Sequence, residues 1–190
     1  MNAEELLRRY ASGERDFAEV DLSHANLKKS KLIDINLTKA NLINANLSYA
    51  DLSDANLSGA QLMNANMNCI DLINANLSGA NLSYAHLGGA QLMNTNFTGA
   101  NLKEAWLEGV DLTGANLSNA CLENATLHYT DVTDANLSGA NLKNGFLSAF
   151  QCENTNLSGA DLSDRIFPNI PRLCRELRSL RRAGLCCWVY

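Results

Sequence analysis

The chain has 190 residues, a formal net charge of -5 and a pI near 5.1, and 46% of its residues are hydrophobic although only 6% are aromatic. The length fits one structural unit with small appendages, and an acidic chain lacks the lysine and arginine surplus that general nucleic-acid binding needs. No apolar run approaches the roughly 18 residues of a membrane span, and charged residues replace the apolar stretch of a signal peptide. We therefore expect a soluble, cytoplasmic protein that binds neither membranes nor nucleic acid directly.

The first predicted element is a short helix that ends near Gly13. Leu6, Leu7 and Tyr10 fall on one side of this helix, and glycine readily ends a helix. The terminal coils of a repeat stack expose unpaired edges and an open interior, so they need a covering element. We therefore predict that residues 1–14 form an N-terminal helical cap.

A five-residue repeat runs without a gap over residues 15–164. Steps of five from Phe17 to Leu162 give 30 units, and the central residue is Leu in 25 of them. Ala stands two residues before the centre in 19 units, and Asn or Asp stands immediately before the centre in 21. The unit A-(N/D)-L-(S/T)-x occurs unchanged from Ala55 to Gly59.

A period of five fits neither an α-helix nor one long strand. On a helix each step of five residues advances about 140° net around the axis, so the leucines would lie on all sides of the helix. On a strand the leucines would alternate between the two faces. A closed path with five residues per side resolves this conflict, because the centre and the residue two before it then both point inward. Leu and Ala would fill the interior, and Gly, Asn and Asp would form the corners.

A twenty-residue period is superimposed on the shorter one. Every fourth unit between Ile35 and Gly159 reads INLTK, ANLSG, ANLSG, TNFTG, ANLSN, ANLSG and TNLSG. This predicts a coil of four sides, which we call walls. Wall one has its centres at residues 17, 37 and onward in steps of 20, wall two at 22, 42 and onward, wall three at 27, 47 and onward, and wall four at 32, 52 and onward. Thirty units predict 7.5 coils and a rod roughly 36 Å long at the spacing of adjacent strands.

These units resemble the pentapeptide repeat family over residues 15–164. The resemblance implies an all-β solenoid, a right-handed quadrilateral β-helix. The segment from Glu5 to Phe17 is also similar to the short helix that precedes the first coil in many cyanobacterial members of the family, including a heterocyst-differentiation regulator.

The repeat is expected to stop near Arg165, which would fall on an inward position where an unpaired charge cannot be buried. Pro171 is well placed to begin a helix that runs to about Ala183. Its apolar side would hold Leu173, Leu177 and Leu180, with arginines around the rest. Residues 165–190 are therefore predicted as a basic helix and tail. We interpret this helix as a second cap, and the alternative is a basic surface for nucleic acid or membrane. The chain would be a monomer or a homodimer formed through this segment.

No motif supports catalysis or cofactor binding. The chain contains no Gly-rich phosphate loop, no GxSxG and no HExxH. His86 and His128 fall on the same wall about 10 Å apart, which is too far for shared metal coordination. The six cysteines show no CxxC pairing, which is typical of reduced thiols. We expect a protein that is not an enzyme and has no cofactor or metal.

Acidic residues are concentrated on wall four. It carries eight of them against Lys31, a net charge of -7: Asp34, Asp51, Asp54, Asp71, Asp111, Asp131, Asp134 and Glu153. Some pentapeptide repeat proteins resemble duplex DNA in shape and charge and bind DNA gyrase, so the resemblance implies a DNA-mimic face formed by Asp51, Asp54, Asp71, Asp111, Asp131 and Asp134. The alternative is that Asp replaces Asn in the repeat and keeps the rod soluble. We favour this alternative, because the DNA-mimicking members typically dimerise through their C-termini, where this chain has a basic helix.

Aromatic residues collect on wall three. Its column immediately before each centre reads Asn26, Asn46, Asn66, His86, Trp106, Thr126 and Phe146, and Tyr49, His128 and Tyr129 lie on the same wall. Exposed aromatic side chains often anchor protein interfaces, although these could instead pack over neighbouring residues of the wall. We interpret the chain as a rigid rod that binds a regulatory protein of unknown identity through Trp106, Tyr129, Phe146, His86 and Tyr49, with the DNA mimic as the alternative.

Overall fold

The computed structural model describes residues 1–146 and 151–163. An α-helix, α1, spans Ala3–Ala11, and a stack of coils joined by parallel backbone bridges follows it. Each bridge connects residues 20 apart, from Asp16–Asn36 at the first coil to Asn141–Asp161 at the last. The predicted twenty-residue coil is therefore present in this part of the chain, whereas the helix predicted within residues 165–190 lies outside the described residues.

Backbone hydrogen bonds tie each wall to the same wall of the next coil. On wall one, the Leu57 N–H donates to the Asn76 carbonyl at 2.7 Å and the Gly59 N–H donates to the Ser78 carbonyl at 2.9 Å. In the opposite direction, the Asn76 N–H donates to the Ala55 carbonyl at 2.9 Å. Each side of the coil contributes one bridged residue, the residue before the centre, so the sheets consist of very short parallel strands.

A tight turn closes each unit. The residue two past the centre has a positive φ in every described unit, for example 67° at Gly59 and 60° at Tyr49. The Ala60 N–H donates to the Leu57 carbonyl at 3.0 Å, and most units repeat this bond. A positive φ at the third residue of such a turn is the pattern of a type II turn. The predicted corner composition of Gly, Asn and Asp is incomplete, because Tyr49 and Cys69 also hold this conformation.

The interior contains the side chains that the repeat predicts. The central residues from Phe17 to Leu142 are at most 1% exposed, and the alanines two positions earlier line the same core. Leu57, Leu77, Phe97 and Leu117 are buried in successive coils of wall one. Full burial of such a side chain contributes about 1.5 to 3 kcal/mol each, so this column is a main source of stability.

Threonine replaces alanine at a few inward positions without leaving a hydroxyl unsatisfied. Thr95 and Thr130 are fully buried. Their Oγ1 atoms donate to the carbonyls of Leu72 at 2.8 Å and Leu107 at 2.7 Å in the preceding coil. A buried hydroxyl without a partner would cost about 1 to 3 kcal/mol. In the described part of the chain, every buried side-chain nitrogen or oxygen has a hydrogen-bond partner.

The helix α1 packs on the first coil mainly through Leu6. Asn2 caps its N-terminus by accepting the Glu5 N–H at 2.8 Å. Leu6 is completely buried in the common core, and the Tyr10 hydroxyl donates to the Ile33 carbonyl at 2.9 Å. Leu7, predicted on the same side, is instead 37% exposed. The reason is that Leu7 follows Leu6 directly and therefore lies about 100° from it around the helix axis.

An ion pair joins the end of α1 to the start of the coils. The Arg9 Nε donates to the Glu14 Oε2 at 2.7 Å, and the Arg9 guanidinium lies 5.3 Å from the ring centroid of Phe17. The hydrogen bond from Arg9 holds the pKa of the Glu14 carboxyl below its ordinary value of 4.5. The first coil and α1 are thus linked by polar as well as apolar contacts.

Because Leu77 lies in the core and Ser78 on the outer side of the coil, lysine substitutions at these adjacent positions should differ strongly in their effect on stability. Leu77→Lys places an unpaired charge in the core and should lower the free energy of unfolding by more than about 4 kcal/mol. Ser78→Lys should be nearly neutral, because Lys28, Lys103 and Lys143 already occupy the same position in other units. Urea unfolding followed by circular dichroism measures both, and equal losses of stability would reject the assignment.

Candidate protein-interaction surfaces

Wall one uses its polar side chains for its own structure. The Asn76 Oδ1 accepts the Ser78 N–H at 3.1 Å, and the Asn76 Nδ2 donates to the Asn56 Oδ1 at 3.3 Å. The Asn96 Nδ2 repeats this bond to the Asn76 Oδ1 at 3.1 Å. Because these amides bond to their own turn and to the neighbouring coil, wall one offers few free polar groups for recognition.

The aspartates of wall four form two columns. Asp51 and Asp71 are backbone-bridged neighbours, as are Asp111 and Asp131, and Gln91 separates the two pairs. These four aspartates are half-buried. Asp54 and Asp134 lie at the corner two past the centre, where they are exposed. The structure therefore places the six predicted residues on one wall as an acidic strip in two groups, which the coil of Gln91 separates.

One oxygen of each half-buried aspartate performs the role that Asn has elsewhere in the repeat. The Asp51 Oδ1 accepts the Ser53 N–H at 3.2 Å and the Ser53 hydroxyl at 2.7 Å. The Asp111 Oδ1 accepts the Thr113 N–H at 2.9 Å. A structural role for these aspartates is therefore present in the turns, whether or not they also bind a partner.

The linear charge density of wall four can be compared with that of nucleic acid. Its net charge of -7 extends over seven stacked units, so one charge falls about every 5 Å at the spacing of adjacent strands. One strand of DNA carries a phosphate about every 3.4 Å along the helix axis. Wall four thus carries about two thirds of the linear charge density of a single DNA strand and about a third of that of the duplex.

The aromatic residues predicted on wall three are largely accessible. Trp106 is 59% exposed and Tyr129 67%, while Tyr49 is 55% and Phe146 39% exposed. The Trp106 ring lies against His86 in the preceding coil, with 4.7 Å between ring centroids and 56° between planes. Both interpretations of Trp106 therefore describe part of its environment: the ring packs on a neighbour of the wall, and more than half of the residue still faces solvent.

The remaining aromatic residues of wall three form two separate contacts. Phe146 lies 6.3 Å from His128, measured between ring centroids. At the other end of the wall, the Lys28 Nζ lies 5.9 Å from the ring centroid of Tyr49. Tyr49 is thus remote from the group around Trp106, and it already has a cation against its ring.

One exposed aromatic residue was missed by the sequence reasoning. Tyr84 on wall two is 43% exposed, and its hydroxyl lies 3.3 Å from a carboxylate oxygen of Glu104. It occupies the corner position two past the centre, as Tyr49 and Tyr129 do. The signal that could have identified it is this position in the repeat, where the side chain must project outward.

Other kinds of site are considered by residue type. Within residues 1–146 and 151–163, no cluster of His, Cys, Asp and Glu side chains could hold a metal ion. Within the same residues, Cys69 and Cys121 are free thiols. No helix in the same residues is long and apolar enough to cross a membrane. The expectations of a cytoplasmic location and of no enzymatic activity stay predictions.

Comparison with known proteins identifies the repeat. A family model described as pentapeptide repeats matches in eight copies within residues 20–164, which cover more than half of the chain. No curated protein matches the sequence significantly.

Several solved structures are similar to this chain. A trypsin-treated variant of QnrB1, a plasmid-mediated fluoroquinolone resistance protein, is 23% identical with a TM-score of 0.65, covering 90% of this chain and 86% of QnrB1. HetL, involved in heterocyst differentiation regulation in the cyanobacterium Nostoc sp. strain PCC 7120, is 26% identical with a TM-score of 0.38, covering 89% of this chain and 98% of HetL. A pentapeptide repeat protein from the Arabidopsis thaliana thylakoid lumen is 29% identical with a TM-score of 0.49, covering 67% and 73%.

The likeness to QnrB1 concerns the fold alone. It agrees with the five-residue turns and the twenty-residue bridges of the described coils. Since the family model also covers most of the repeat, the chain belongs to the pentapeptide repeat family, whose members fold as right-handed quadrilateral β-helices.

Proposed function

We propose that the chain is a non-catalytic protein-interaction module, a rigid rod that binds a regulatory protein through wall three. The observation that carries this proposal is the exposure of Trp106, which is 59% accessible on a fixed backbone. The Trp106 N–H donates to the Ala85 carbonyl at 3.0 Å, and the Trp106 carbonyl accepts the Leu87 N–H at 2.8 Å. Both backbone polar groups of Trp106, its N–H and its carbonyl, are thus hydrogen-bonded to the preceding coil, so the side chain projects from a fixed backbone.

A rigid aromatic surface favours binding for two reasons. Trp and Tyr bury 150 to 250 Å² each and are enriched among residues whose truncation costs about 2 kcal/mol or more of binding free energy. A wall that is already ordered loses little conformational entropy when a partner docks. Trp106, Tyr129, Phe146 and His86 form the proposed centre of the interface, and Tyr49 its more distant edge.

The proposed rod has three parts. Residues 1–14 cover the N-terminal end, residues 15–164 form about 7.5 coils of the β-helix, and residues 165–190 are a basic C-terminal segment. The complete burial of Leu6 and the bond from Tyr10 to the first coils support the N-terminal cap. The same proposal places the protein in the cytoplasm as a monomer or as a homodimer formed through residues 165–190.

Loss of the two central aromatic rings should abolish partner binding. The variant Trp106→Ser with Phe146→Ser should fail to capture the proteins that the wild-type chain retains from its native host, as identified by mass spectrometry. The matched control is Tyr84→Ser, which removes an exposed aromatic ring from wall two. Both variants should keep the wild-type thermal midpoint, because none of the three side chains is in the core. An unchanged set of captured proteins would rule out wall three as the interface.

The alternative function is an acidic DNA mimic that binds DNA gyrase or another DNA-binding protein through wall four. The linear charge density of its strip favours this candidate, as does the exposure of Asp54 and Asp134. The hydrogen bonds of the half-buried aspartates, however, give them a structural role within their turns. We therefore place this function second.

Neutralising the aspartates of wall four distinguishes the DNA-mimic function from the wall-three function. If the chain is a DNA mimic, it should alter gyrase supercoiling, and changing Asp51, Asp71, Asp111 and Asp131 to Asn should abolish the effect. The control removes four charges from wall two with Asp21→Asn, Glu104→Gln, Glu123→Gln and Asp161→Asn. No effect of the wild-type chain on supercoiling, or equal loss in both variants, would reject wall four as a gyrase-binding mimic.

A further inference from the structure

The corner between walls three and four has a gap in its row of side chains. Along the rod this corner reads Lys29, Tyr49, Cys69, Gly89, Gly109 and Tyr129. The Gly89 N–H donates to the Glu108 carbonyl at 2.9 Å and the Gly109 N–H to the His128 carbonyl at 2.8 Å, so the two glycines lie in successive coils. Side chains are therefore absent over two coils, about 10 Å along the rod.

Neighbouring atoms leave this gap open. A Cβ atom at Gly109 would have nothing within 4 Å, and one at Gly89 would meet only the Cys69 Sγ at 3.4 Å. Both glycines are exposed. Among the residues that the structure describes, 20 non-glycine residues hold a similar φ of 53° to 61°, close to the 66° of Gly89 and the 65° of Gly109, so the turn itself would accept a larger residue. The gap is thus open surface rather than a requirement of the packing, and we call these two coils without corner side chains the recess.

Aromatic and acidic residues lie next to the recess in the chain and in the same corner column. Trp106 lies three residues before Gly109 on wall three, and Tyr129 follows Gly109 in the same corner column. Glu108 is exposed on one side, and Asp111 lies on the wall-four side, bridged to Asp131. Ring faces attract cations, and carboxylates form charge-assisted hydrogen bonds with them. The same corner column already shows such a contact, since the Lys28 Nζ lies over the Tyr49 ring.

We propose that this recess, with Gly89 and Gly109 as its floor and Trp106, Glu108, Asp111 and Tyr129 around it, receives an arginine side chain from a basic segment of the partner protein. The proposal rests on the function proposed for wall three and identifies the chemistry of the partner. A planar guanidinium can stack on a ring and bond to carboxylates at once, which an ammonium group does less well. The net charge of -7 on the adjoining wall four attracts a basic segment to this corner.

Filling the recess tests the proposal with little risk to the fold. Gly89→Asn with Gly109→Asn introduces a residue that already occupies this corner conformation at Asn94 and Asn119. The matched control is Gly79→Asn with Gly99→Asn on wall one, where an added Cβ also meets nothing within 4 Å. The probes are fluorescent peptides with three arginines separated by glycines, and matched peptides with three citrullines, lysines or glutamates. Fluorescence anisotropy with the full chain measures binding.

The arginine peptide should bind more tightly than the lysine peptide, and the citrulline and glutamate peptides should not bind. Filling the recess should weaken arginine-peptide binding by about tenfold or more, whereas the wall-one control should bind like the wild type. Equal binding of the arginine and citrulline peptides, or unchanged binding by the filled variant, overturns the proposal.

Two further outcomes separate this proposal from its alternatives. If Trp106→Ser with Phe146→Ser abolishes capture of partner proteins while the filled variant captures them normally, the recess is rejected and the wall-three function stands. A second variant changes five arginines to Gln: Arg172, Arg175, Arg178, Arg181 and Arg182. If this variant binds the arginine peptide more tightly than the wild type, the chain's own tail occupies the recess, and the proposal of an external partner is rejected.

Discussion

The parallel backbone ladder between residues 20 apart is the constraint on which the rest of the structure depends. Each unit donates and accepts hydrogen bonds across its wall, as between Leu57 and Asn76, and this register brings every central side chain above another central side chain. An inserted or deleted residue would turn the following side chains to the other face. This explains why the repeat has no gap over 30 units and why a leucine and alanine core suffices with so few aromatic residues.

The ladder also determines where the walls can differ. The residue two before the centre and the centre itself belong to the core, so only three positions of each unit face solvent or the corner. Wall one fills these positions with Asn, Ser and Gly that bond to one another, while wall three presents Trp106 and wall four presents carboxylates. Recognition chemistry in this protein is therefore a property of individual walls and of the corners between them.

The fold followed from the sequence because the period of five leaves one geometry in which all leucines are buried. The details that were missed depend on contacts between coils, which a single unit does not show. Thr95 could be recognised as an exception to Ala, but its bond to the Leu72 carbonyl requires the stacked coil. The corner conformation of Tyr49 contradicts the usual preference for Gly and Asn at positive φ. The twenty-residue period alone assigns residues to wall three and wall four. The recess depends on what lies near Gly89 and Gly109 in the stacked coils, which the sequence does not show.

The most direct test of the ladder compares two deletions of very different size. Removing residues 76–95 takes out one complete coil and restores the register, so the chain should still unfold cooperatively with a modestly lower midpoint, because each coil contacts only its neighbours. Removing Ser78 alone takes out one outward-facing residue but shifts the register, so it should lower the midpoint much further. A larger loss of stability from the coil deletion than from the deletion of Ser78 would contradict a fold held together by this register.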